Sequence, residues 1–463
     1  MGMDFATFMG LLSAQLRIRA ALVVVIMWLA VAISSAAWAQ TLTVALYPYV
    51  PRPAQFEAAI RAAWTQVQPS VKLNFINDVK IWDGGYDTDP PPQADIYVFD
   101  AMYFEDYRAR GLLVAMAPSE IQNSGDFLPY ARDAVIVNGN YYAIPQLGCA
   151  NILFYNANDA AVAGATTVTQ LASALNQCTY TSEIPPDRRG LMVDMDGKTT
   201  NATLYLDIGH SVNGTYPLPQ PGVPDPAFIA DQQLMLRLAS YWDATSKNPA
   251  DYVRGVWFNQ GFGRAYMGFT ESMSVMSPGT LATIGFKVMP LSNTTGRQAL
   301  FYVDAIGVNT TTVGRGTRNL AVQLGNVIAA SDTIVASFRS PQSGTNPQYL
   351  MSVRTSAFQQ LSQSYPIYQR MFQLAQSSNP VAFKLNAAGR SWVQSLGPAI
   401  RQSVMKNYSC GCDETSPRPI SDNAAAQNIC PSVCSAFGGW NGQWTNRPPA
   451  PGSVCGCNVC PIK

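Results

Sequence analysis

The cysteine Cys149 ends a strand-like apolar run, IPQLGC, and a second apolar run follows it as far as Tyr155. A thiol in this position can act as a nucleophile, although free cysteine is also among the residue types most often buried for structural reasons. The usual base for a thiol is histidine, but the chain has one histidine, His210, far from every candidate cleft segment. Any base that activates Cys149 is therefore a carboxylate.

A glutamate needs help to deprotonate a thiol. The ordinary pKa is ~8.5 for a thiol and ~4.3 for a glutamate, so moving a proton from the thiol to the glutamate costs about 5.7 kcal/mol. The protein must raise the carboxyl pKa by burial, stabilise the thiolate, or move the proton only as attack proceeds. Glu271 is the candidate base, because its sequence neighbours Phe269 and Met273 are apolar, and apolar surroundings raise the pKa of a carboxyl group.

Other aromatic and acidic residues stand where predicted strands end. Tyrosine faces attract flat or cationic rings, and carboxylates bind ring N–H groups. A sugar or a peptide would also use the aromatics, but several acids together favour a cationic, nitrogen-containing ring. The set consists of Tyr47, Tyr49, Asp100, Tyr103, Cys149, Glu271, Tyr302 and Asp304.

The elements that carry these residues alternate between strand and helix. TLTVALYPYV predicts a strand, and the next segment predicts a helix with Phe56, Ile60, Ala63 and Val67 on one face. VKLNFI is a second strand, and the near-continuous apolar run ADIYVFD is typical of a parallel strand covered on both faces. This βαβ pattern predicts an α/β sheet.

A second α/β set follows Tyr155, and the late elements return to the first. This layout predicts a bilobal, type II periplasmic binding-protein-like fold, with lobe 1 at about 40–150 and 300–407 and lobe 2 at about 151–299. Ligands of such folds lie between the lobes, at the carboxyl ends of the strands.

The N-terminal segment of the chain predicts export. Residues 1–39 hold two arginines, an apolar run and Ala37-Trp38-Ala39, the pattern of a signal peptide, although an uncleaved anchor stays an alternative. The mature protein is then secreted or periplasmic, without stable membrane association. A formal charge of +1 makes nucleic acid an unsuitable partner.

Seven of the nine cysteines crowd into residues 408–463, whereas Cys149 and Cys178 stand apart. In an oxidising compartment this density predicts a small disulfide-rich C-terminal module. The spacings also allow a zinc site, but no histidine lies nearby, and we expect no metal.

Five segments, which occur in the family's order, resemble thiaminase I, the thiamine pyridinylase family, over roughly residues 41–405. In chain order they are YPYVPR, ADIYVFDAMYFEDY, IPQLGC, YMGFTESMS and LFYVDAIGVN. The resemblance implies a catalytic domain over 40–407 in which a cysteine adds to the aminopyrimidine of thiamin. The thiazole is expelled, and an amine or thiol cosubstrate replaces it. No metal or organic cofactor is implied.

The resemblance also implies roles. Cys149 is the nucleophile and Glu271 its general base, while Asp100 and Asp304 hold or protonate the pyrimidine nitrogens. Tyrosines pack against the ring, namely Tyr47, Tyr49 and Tyr302. The chain departs from the expected pattern at Phe269, where the family tyrosine would supply a hydroxyl.

The tail segment ICPSVCSAFGGWNGQWTNRPPAPGSVCGC resembles one repeat of the cyanobacterial oligomannose-binding, or mannan-binding, lectin. Glycines there permit close approach of a ligand, and the amides supply donors and acceptors; the alternative is that the tryptophans form the module's core. The candidate carbohydrate-binding residues are Trp440, Asn441, Gly442, Gln443 and Trp444.

Two hypotheses follow. The first is an exported thiamin-degrading transferase with a glycan-binding tail. The second is a non-catalytic receptor that captures thiamin or a pyrimidine for uptake. A receptor needs the aromatics and the acids but neither Cys149 nor Glu271, so the presence of both favours the enzyme.

Overall fold

The computed structural model describes residues 40–175, 190–193, 197–241, 252–261, 263–405, 413–446 and 452–457. Several sequence predictions lie outside the described residues. They are the signal peptide at 1–39, the boundary at residue 407, and the cysteines Cys178, Cys410, Cys412 and Cys460.

The strands are numbered in chain order within these ranges. They are β1 Thr41–Ala45, β2 Lys72–Ile76, β3 Ile96–Asp100, β4 Ile136–Val137, β5 Asn140–Tyr141, β6 Ile144–Cys149, β7 Ile152–Asn156, β8 Leu191–Met192, β9 Ala239–Tyr241, β10 Ala265–Gly268, β11 Ile284–Val288, β12 Leu300–Val308, β13 Met351–Ser352, β14 Val381–Ala382, β15 Asp413–Thr415, β16 Trp440–Asn446 and β17 Ser453–Cys457.

The helices are numbered in the same way. They are α1 Pro53–Val67, α2 Phe104–Ala109, α3 Pro129–Asp133, α4 Ala160–Gly164, α5 Val168–Leu175, α6 Lys198–Asn213, α7 Pro226–Leu238, α8 Val253–Asn259, α9 Pro278–Thr283, α10 Thr311–Arg315, α11 Arg318–Ile328, α12 Ser331–Phe338, α13 Thr355–Ser364, α14 Pro366–Ser377, α15 Gly389–Met405 and α16 Asn423–Val433. In the described ranges no single helix has the length and apolar character to cross a bilayer, although the bent pair α11 and α12 together meets that measure.

The sheet of lobe 1 has the strand order β13-β6-β12-β3-β1-β2, with β14 beside β12. Strands β2 and β3 run parallel to β1, while β12 runs antiparallel to both β3 and β6. Every residue of β3 is buried, as its apolar run predicts, because strands pair on both its edges and helices cover the sheet.

The sheet of lobe 2 has the order β11-β7-β10-β8-β9. The chain leaves the first sheet at the end of β6, enters the second at β7, and returns after β11 to form β12. This double crossing produces the two α/β lobes that the alternation of elements predicts, and it places Cys149 where the chain passes between them.

Helix α1 packs on lobe 1 through Phe56, Ile60 and Trp64, with Pro53 in its first turn. The predicted apolar face is wrong at its end, because Val67 is 44% exposed. Trp64 takes the buried place, and its Nε1 donates to the carbonyl of Val71, 2.9 Å away. Burying the larger indole ring, which also donates a hydrogen bond to a buried carbonyl, is more favourable than burying a valine one turn further along the helix.

Helix α15 contacts both lobes. Its Trp392 Nε1 donates to the carbonyl of Pro221, and Ser403 accepts from the side chain of Gln233, both at 2.8 Å on the lobe 2 side. At its start Arg390 forms an ion pair with Asp89 in the loop before β3. The last helix before the tail therefore helps to hold the lobes together.

The C-terminal module is a three-stranded sheet, β15-β17-β16, with α16 packed on it. Two disulfides, Cys430–Cys455 and Cys434–Cys457, join α16 to β17. The four cysteines form most of the module's buried core, together with Ile420, Ala426 and Ile429. A core this small depends on cross-links.

We expect the double change Cys434→Ser with Cys457→Ser to destabilise the module by ~3 kcal/mol, the entropic value of a loop of this length. Limited proteolysis read by mass spectrometry should show faster cleavage within residues 423–457 and unchanged resistance of residues 40–405. Cys149→Ser is the matched control, because that thiol is free. Equal resistance of the double variant and the control would contradict this account.

Candidate active site

Four of the predicted site residues of lobe 1 lie on three neighbouring strands in the middle of the sheet, whereas Tyr47 and Tyr49 follow β1. The antiparallel register places Asp304 of β12 opposite Asp100 at the end of β3. On the other edge of β12, Tyr302 lies opposite Cys149 at the end of β6. Directly opposed residues have neighbouring side chains, so the register itself assembles two carboxylates, a phenol and a thiol.

A β-bulge in β6 adjusts this register. Asp304 faces Leu147 while Ala305 faces Pro145, so Gln146 is the extra residue. Proline has no N–H for the ladder and is tolerated in a sheet at such irregular places. Bulges bend a strand and redirect its side chains. The Pro-Gln step before LGC thus sets the direction of the last residues of β6, Cys149 included.

Asp100 and Asp304 form a carboxylate pair in which Asp100 is buried and Asp304 is half-buried. The carboxylate of Asp100 accepts from the backbone N–H of Met102 at 2.9 Å and from the Tyr86 hydroxyl at 3.0 Å. Burial nevertheless raises its pKa to about 6. Burial, then the charges of Asp100 and Glu271, raise the pKa of Asp304 well above its usual range. Of the two carboxyl groups, Asp304 therefore has the greater tendency to hold a proton.

Glu271 approaches from lobe 2. It lies in the 3₁₀ turn Thr270–Val275, which follows β10 and which we call the Glu271 turn. The side chain is buried, and its Oε2 accepts no hydrogen bond from the described residues. Burial raises the pKa of Glu271 to about 7, as predicted from its apolar context. Met273 supplies buried contact there, whereas Phe269 is 40% exposed.

Cys149 is a free thiol on the lobe 1 side. Its pKa is raised above the usual range, first by burial and then by the charges of Glu271, Asp304 and Asp100. The thiol is thus protonated at rest and has carboxylates as neighbours. His210 is elsewhere, with its ring nitrogens 3.1 Å from the carbonyls of Thr215 and Gln298.

The predicted tyrosines surround the carboxylate pair. The Tyr47 ring meets that of Tyr49 edge-on at 5.6 Å, and Asp304 and Asp100 both contribute to raising the pKa of Tyr47. Tyr302 stacks on Phe383 at 4.6 Å between centroids, so protein covers one of its faces.

Tyr86 is a site residue that sequence reasoning missed. Its hydroxyl lies 2.8 Å from that of Tyr47 and donates to Asp100. The DGGYDTD loop that carries it is ordered by Asp83, whose carboxylate accepts the backbone N–H groups of Gly85, Tyr86, Asp87 and Thr88. An aspartate before two glycines and a tyrosine is the local signal of such a loop.

Two further groups escaped prediction. Tyr252 is buried before α8 with a left-handed backbone (φ 47°), and the charges of Glu271 and Cys149 contribute to raising its pKa. Asp207 on α6 is buried and accepts from the amide of Asn151 at 2.8 Å, and burial raises its pKa to about 7. Nothing in their local sequence marks either residue.

The arrangement suits nucleophilic attack on a cationic ring. In the described ranges no group of three or more His, Cys, Asp or Glu side chains could hold a metal ion. The site offers a thiol, a carboxylate of near-neutral pKa, a protonated carboxyl group and several aromatic rings. These groups can donate and accept protons around a basic heterocycle.

The candidate sugar site lies on β16, an edge strand of the module. Trp440 Nε1 donates to the carbonyl of Gln443 at 2.7 Å, and Trp444 Nε1 donates to Asn423 at 2.8 Å. The side-chain Oδ1 of Asn441 accepts from the backbone N–H of Gln443, beside Gly442, whose φ is 90°. Both indoles pack on the disulfide core but stay partly exposed.

Comparisons with known proteins agree with these features. A family model described as Thiaminase-1 domain matches residues 150–292, and one described as Mannan-binding protein matches residues 423–457. The maltose-bound MalE3 of T. maritima, 14% identical with a TM-score of 0.57, covers 79% of this chain and 95% of its own, and is similar in fold alone. The predicted binding-protein-like fold is confirmed.

Two thiaminases are more similar. The structure of Clostridium botulinum thiaminase I in complex with thiamin is 32% identical, with a TM-score of 0.73, over 79% of this chain and 100% of that one. The Thiaminase-1 of Paenibacillus thiaminolyticus is 34% identical over 373 residues, which are 79% of this chain and 88% of the relative. At that identity and coverage, the chain belongs to the thiaminase-1 family.

Proposed function

We propose that this chain is a thiamin-degrading transferase that replaces the thiazole of thiamin by an amine or a thiol through a covalent cysteine–pyrimidine intermediate. The observation that carries the proposal is the free thiol of Cys149 facing the buried carboxylate of Glu271 at the crossing between the lobes. Membership in the thiaminase-1 family supports the choice of substrate.

In the first step the sulfur of Cys149 forms a bond to a carbon of the aminopyrimidine ring, and its proton passes to Glu271. The ring takes up the electron pair while Asp304, the protonated carboxyl group, donates a proton to a ring nitrogen. Asp100 accepts a hydrogen bond from the ring in this arrangement, and the tyrosines pack against its faces.

In the second step the bond between the exocyclic methylene and the thiazolium nitrogen breaks. The electron pair leaves with the nitrogen, so a neutral thiazole departs. The amine or thiol cosubstrate then adds to the methylene and loses a proton, and the sulfur of Cys149 leaves the ring. Thiamin cation and a neutral amine thus become a substituted pyrimidine, a thiazole and one proton. No cofactor takes part.

The charge of the substrate addresses the difficulty of making a thiolate. Burial and three carboxyl groups raise the pKa of Cys149, and this opposes ionisation before substrate binds. Thiamin brings a permanent positive charge, which offsets the carboxylates and favours the thiolate. The raised pKa of Glu271 also makes its carboxylate a stronger base. Attack is thereby linked to the presence of substrate.

A non-catalytic receptor for thiamin or a pyrimidine is the alternative. The binding-protein-like fold is compatible with it, and the tyrosines and aspartates alone would suffice for capture. A receptor has no use for a carboxylate of near-neutral pKa beside a free thiol. We therefore favour the transferase.

The tail is proposed to bind oligomannose-type glycans, and the match to the mannan-binding model supports this. The partly exposed rings of Trp440 and Trp444 supply an apolar surface, and the edge strand β16 leaves polar groups near it. We further propose export of the chain, because the disulfides of the module belong to an oxidising compartment.

Incubation with thiamin and an aromatic amine should release free thiazole alcohol, detected by mass spectrometry. Turnover should require the cosubstrate. Cys149→Ser should abolish turnover and retain thiamin binding, because an alcohol is far less acidic than a thiol while the ring contacts remain. Thiamin that stays bound and intact with the wild-type protein would instead support the receptor. A fully active serine variant would overturn the covalent mechanism.

Because Glu271 must be ionised to accept a proton and its pKa lies at about 7, kcat/KM should fall as the pH drops below about 7. Glu271→Gln should lower the rate by ~10²–10⁴ and remove this acid limb. Asp207→Asn is the matched control, since that carboxyl also has a pKa raised to about 7. If the limb disappeared in the control and persisted in Glu271→Gln, the base would be misassigned.

Deletion of residues 408–463 should leave thiamin cleavage unchanged, because every proposed catalytic residue lies upstream, and should abolish retention on an oligomannose column. The double change Trp440→Ala with Trp444→Ala should match the deletion in this assay. Limited proteolysis of the double variant distinguishes lost contacts from lost folding. A module that unfolds identifies the tryptophans as core, and retention that survives the deletion excludes a glycan-binding role for the tail.

A further inference from the structure

The proposed nucleophile and base lie in different lobes. Cys149 ends β6 in the sheet of lobe 1, and Glu271 lies in the turn that follows β10 of lobe 2. The strand pair β7–β10 fixes the start of the Glu271 turn relative to Cys149, because Gly268 lies opposite Ile152. Contacts with lobe 1 act on the far end of that turn. Proton transfer is sensitive to the separation of the two groups, since donor and acceptor must come within hydrogen-bond reach.

Asn346 joins the lobes at the Glu271 turn. Its Nδ2 lies 3.2 Å from the carbonyl oxygen of Ser274 and 2.6 Å from that of Met276. A primary amide nitrogen carries two hydrogens, so it can donate one to each carbonyl. The end of a short helical turn leaves carbonyls without intrahelical partners, and these are the groups that Asn346 satisfies.

Lobe 1 holds Asn346 firmly in place. The backbone carbonyl of Asn346 accepts from Arg52 Nη2 at 3.0 Å, and Arg52 Nε donates to Gln55 at 3.0 Å. The fully buried Gln348 accepts the backbone N–H of Arg52 at 2.8 Å and donates to the carbonyl of Ser337 at 2.6 Å. Arg52 ends the YPYVPR segment, so this anchor also adjoins the ring-binding tyrosines.

The carboxylate of Glu271 has little else to fix it. Its Oε2 accepts no hydrogen bond from the described residues. The hydrogen bond that its carboxylate does accept comes from the backbone of Glu271 itself. The position of the carboxylate is thus set by the position of the turn.

Another contact between the lobes does not reach this turn. Arg370 of α14 donates from Nη2 to the carbonyl of Ile284 at 2.8 Å, and its guanidinium lies over the ring of Phe286. Both partners belong to β11, on another part of lobe 2. This contact can hold the lobes together, whereas Asn346 acts on the turn itself.

We propose that Asn346 is a positioning residue, which ties the Glu271 turn to lobe 1 and so brings the Glu271 carboxylate within reach of the Cys149 thiol. The proposal rests on the proposed function for its catalytic consequence, but the contact itself can be tested without turnover. In this arrangement one half-buried side chain brings together a base and a nucleophile that lie in different lobes.

Hydrogen exchange of the full-length protein tests the contact. Asn346→Ala should speed amide exchange in residues 270–276 by about tenfold, the effect of losing hydrogen bonds of ordinary strength. The reporting amides are those of Ser272 and Met276, which donate to the carbonyls of Phe269 and Met273. Unchanged exchange there would overturn the proposal.

Asn326→Ala is the matched control for this experiment. Its amide also donates to two backbone carbonyls, those of Glu120 and Val322, but both belong to lobe 1. The control should leave exchange at residues 270–276 as in the wild type. Arg370→Gln removes the contact between α14 and β11 and should also leave that segment protected. Equal acceleration in all three variants would overturn a specific role for Asn346.

Steady-state kinetics test whether the Asn346 contact affects catalysis. Asn346→Ala should lower kcat by about tenfold while KM for thiamin stays within about twofold, because the lost contact acts on the base and not on the ring. Asn346→Asp should lower kcat further, since an anion would then face two carbonyl oxygens. Asn326→Ala and Arg370→Gln should keep the wild-type kcat. An Asn346→Ala kcat equal to that of these controls would overturn the positioning role.

The pH profile separates positioning from a loss of stability. Cys149, Asp304 and Tyr252 face Glu271, and burial raises the Glu271 pKa to about 7. A turn released toward solvent loses part of that burial, so the acid limb of Asn346→Ala should move to lower pH. An unmoved limb would contradict the proposal. A wild-type protein without thiamin turnover would overturn the proposed function, while the exchange result would still decide the contact.

Discussion

The site is built on the burial of four acidic groups within a small volume. Cys149, Asp100, Glu271 and Asp304 all have raised pKa values, with burial as the first cause in each case. Hydrogen bonds from Met102 and Tyr86 partly offset this at Asp100. Like charges in a medium of low dielectric cannot all ionise, so protons stay on some of these groups at neutral pH. The same field that opposes anions attracts a cation, and this makes the site suited to a positively charged heterocycle.

Buried acidic groups without cationic partners do not stabilise the fold by themselves. The surrounding structure must therefore hold them in place as a rigid frame. The frame is the centre of the lobe 1 sheet, where β12 pairs with β3 on one edge and β6 on the other. β3 is buried along its whole length, and Tyr302 is held by stacking on Phe383. Apolar burial in these strands supports the polar groups at their ends.

The two lobes divide the chemistry between them. Lobe 1 supplies the thiol, the carboxylate pair and the ring-binding tyrosines, and lobe 2 supplies the base on a short turn. This division allows access to the cleft and makes the geometry depend partly on contacts between the lobes. Among these contacts, the hydrogen bonds of Asn346 reach the turn that carries the base. The C-terminal module stands apart in construction: it replaces an apolar core with disulfides.

Much of the site could be predicted because its residues carry local signals. Cys149 and Glu271 stand near the ends of apolar runs, Asp100 ends a strand, and the density of the tail cysteines predicts their cross-links. The predicted strand end at Tyr302 and Asp304 is wrong, because β12 continues to Val308. The two-lobed fold follows from the alternation of elements, and the family resemblance rests on segments that are continuous in sequence. Local pattern was less reliable at the end of α1, where Trp64 is buried and Val67 is not.

The tertiary structure alone decided which of these residues meet. Asp304 opposes Asp100 through the register of β12 with β3, and Tyr302 opposes Cys149 through the register of β12 with β6, in which Gln146 forms a bulge. Register between distant strands leaves no mark in either segment. Tyr86 reaches Asp100 from a loop whose composition indicates only a turn. Asn346 reaches the Glu271 turn across 70 or more positions of the chain. Residue type and local pattern determine which chemistry is available, whereas long-range packing determines which groups lie close enough to perform it.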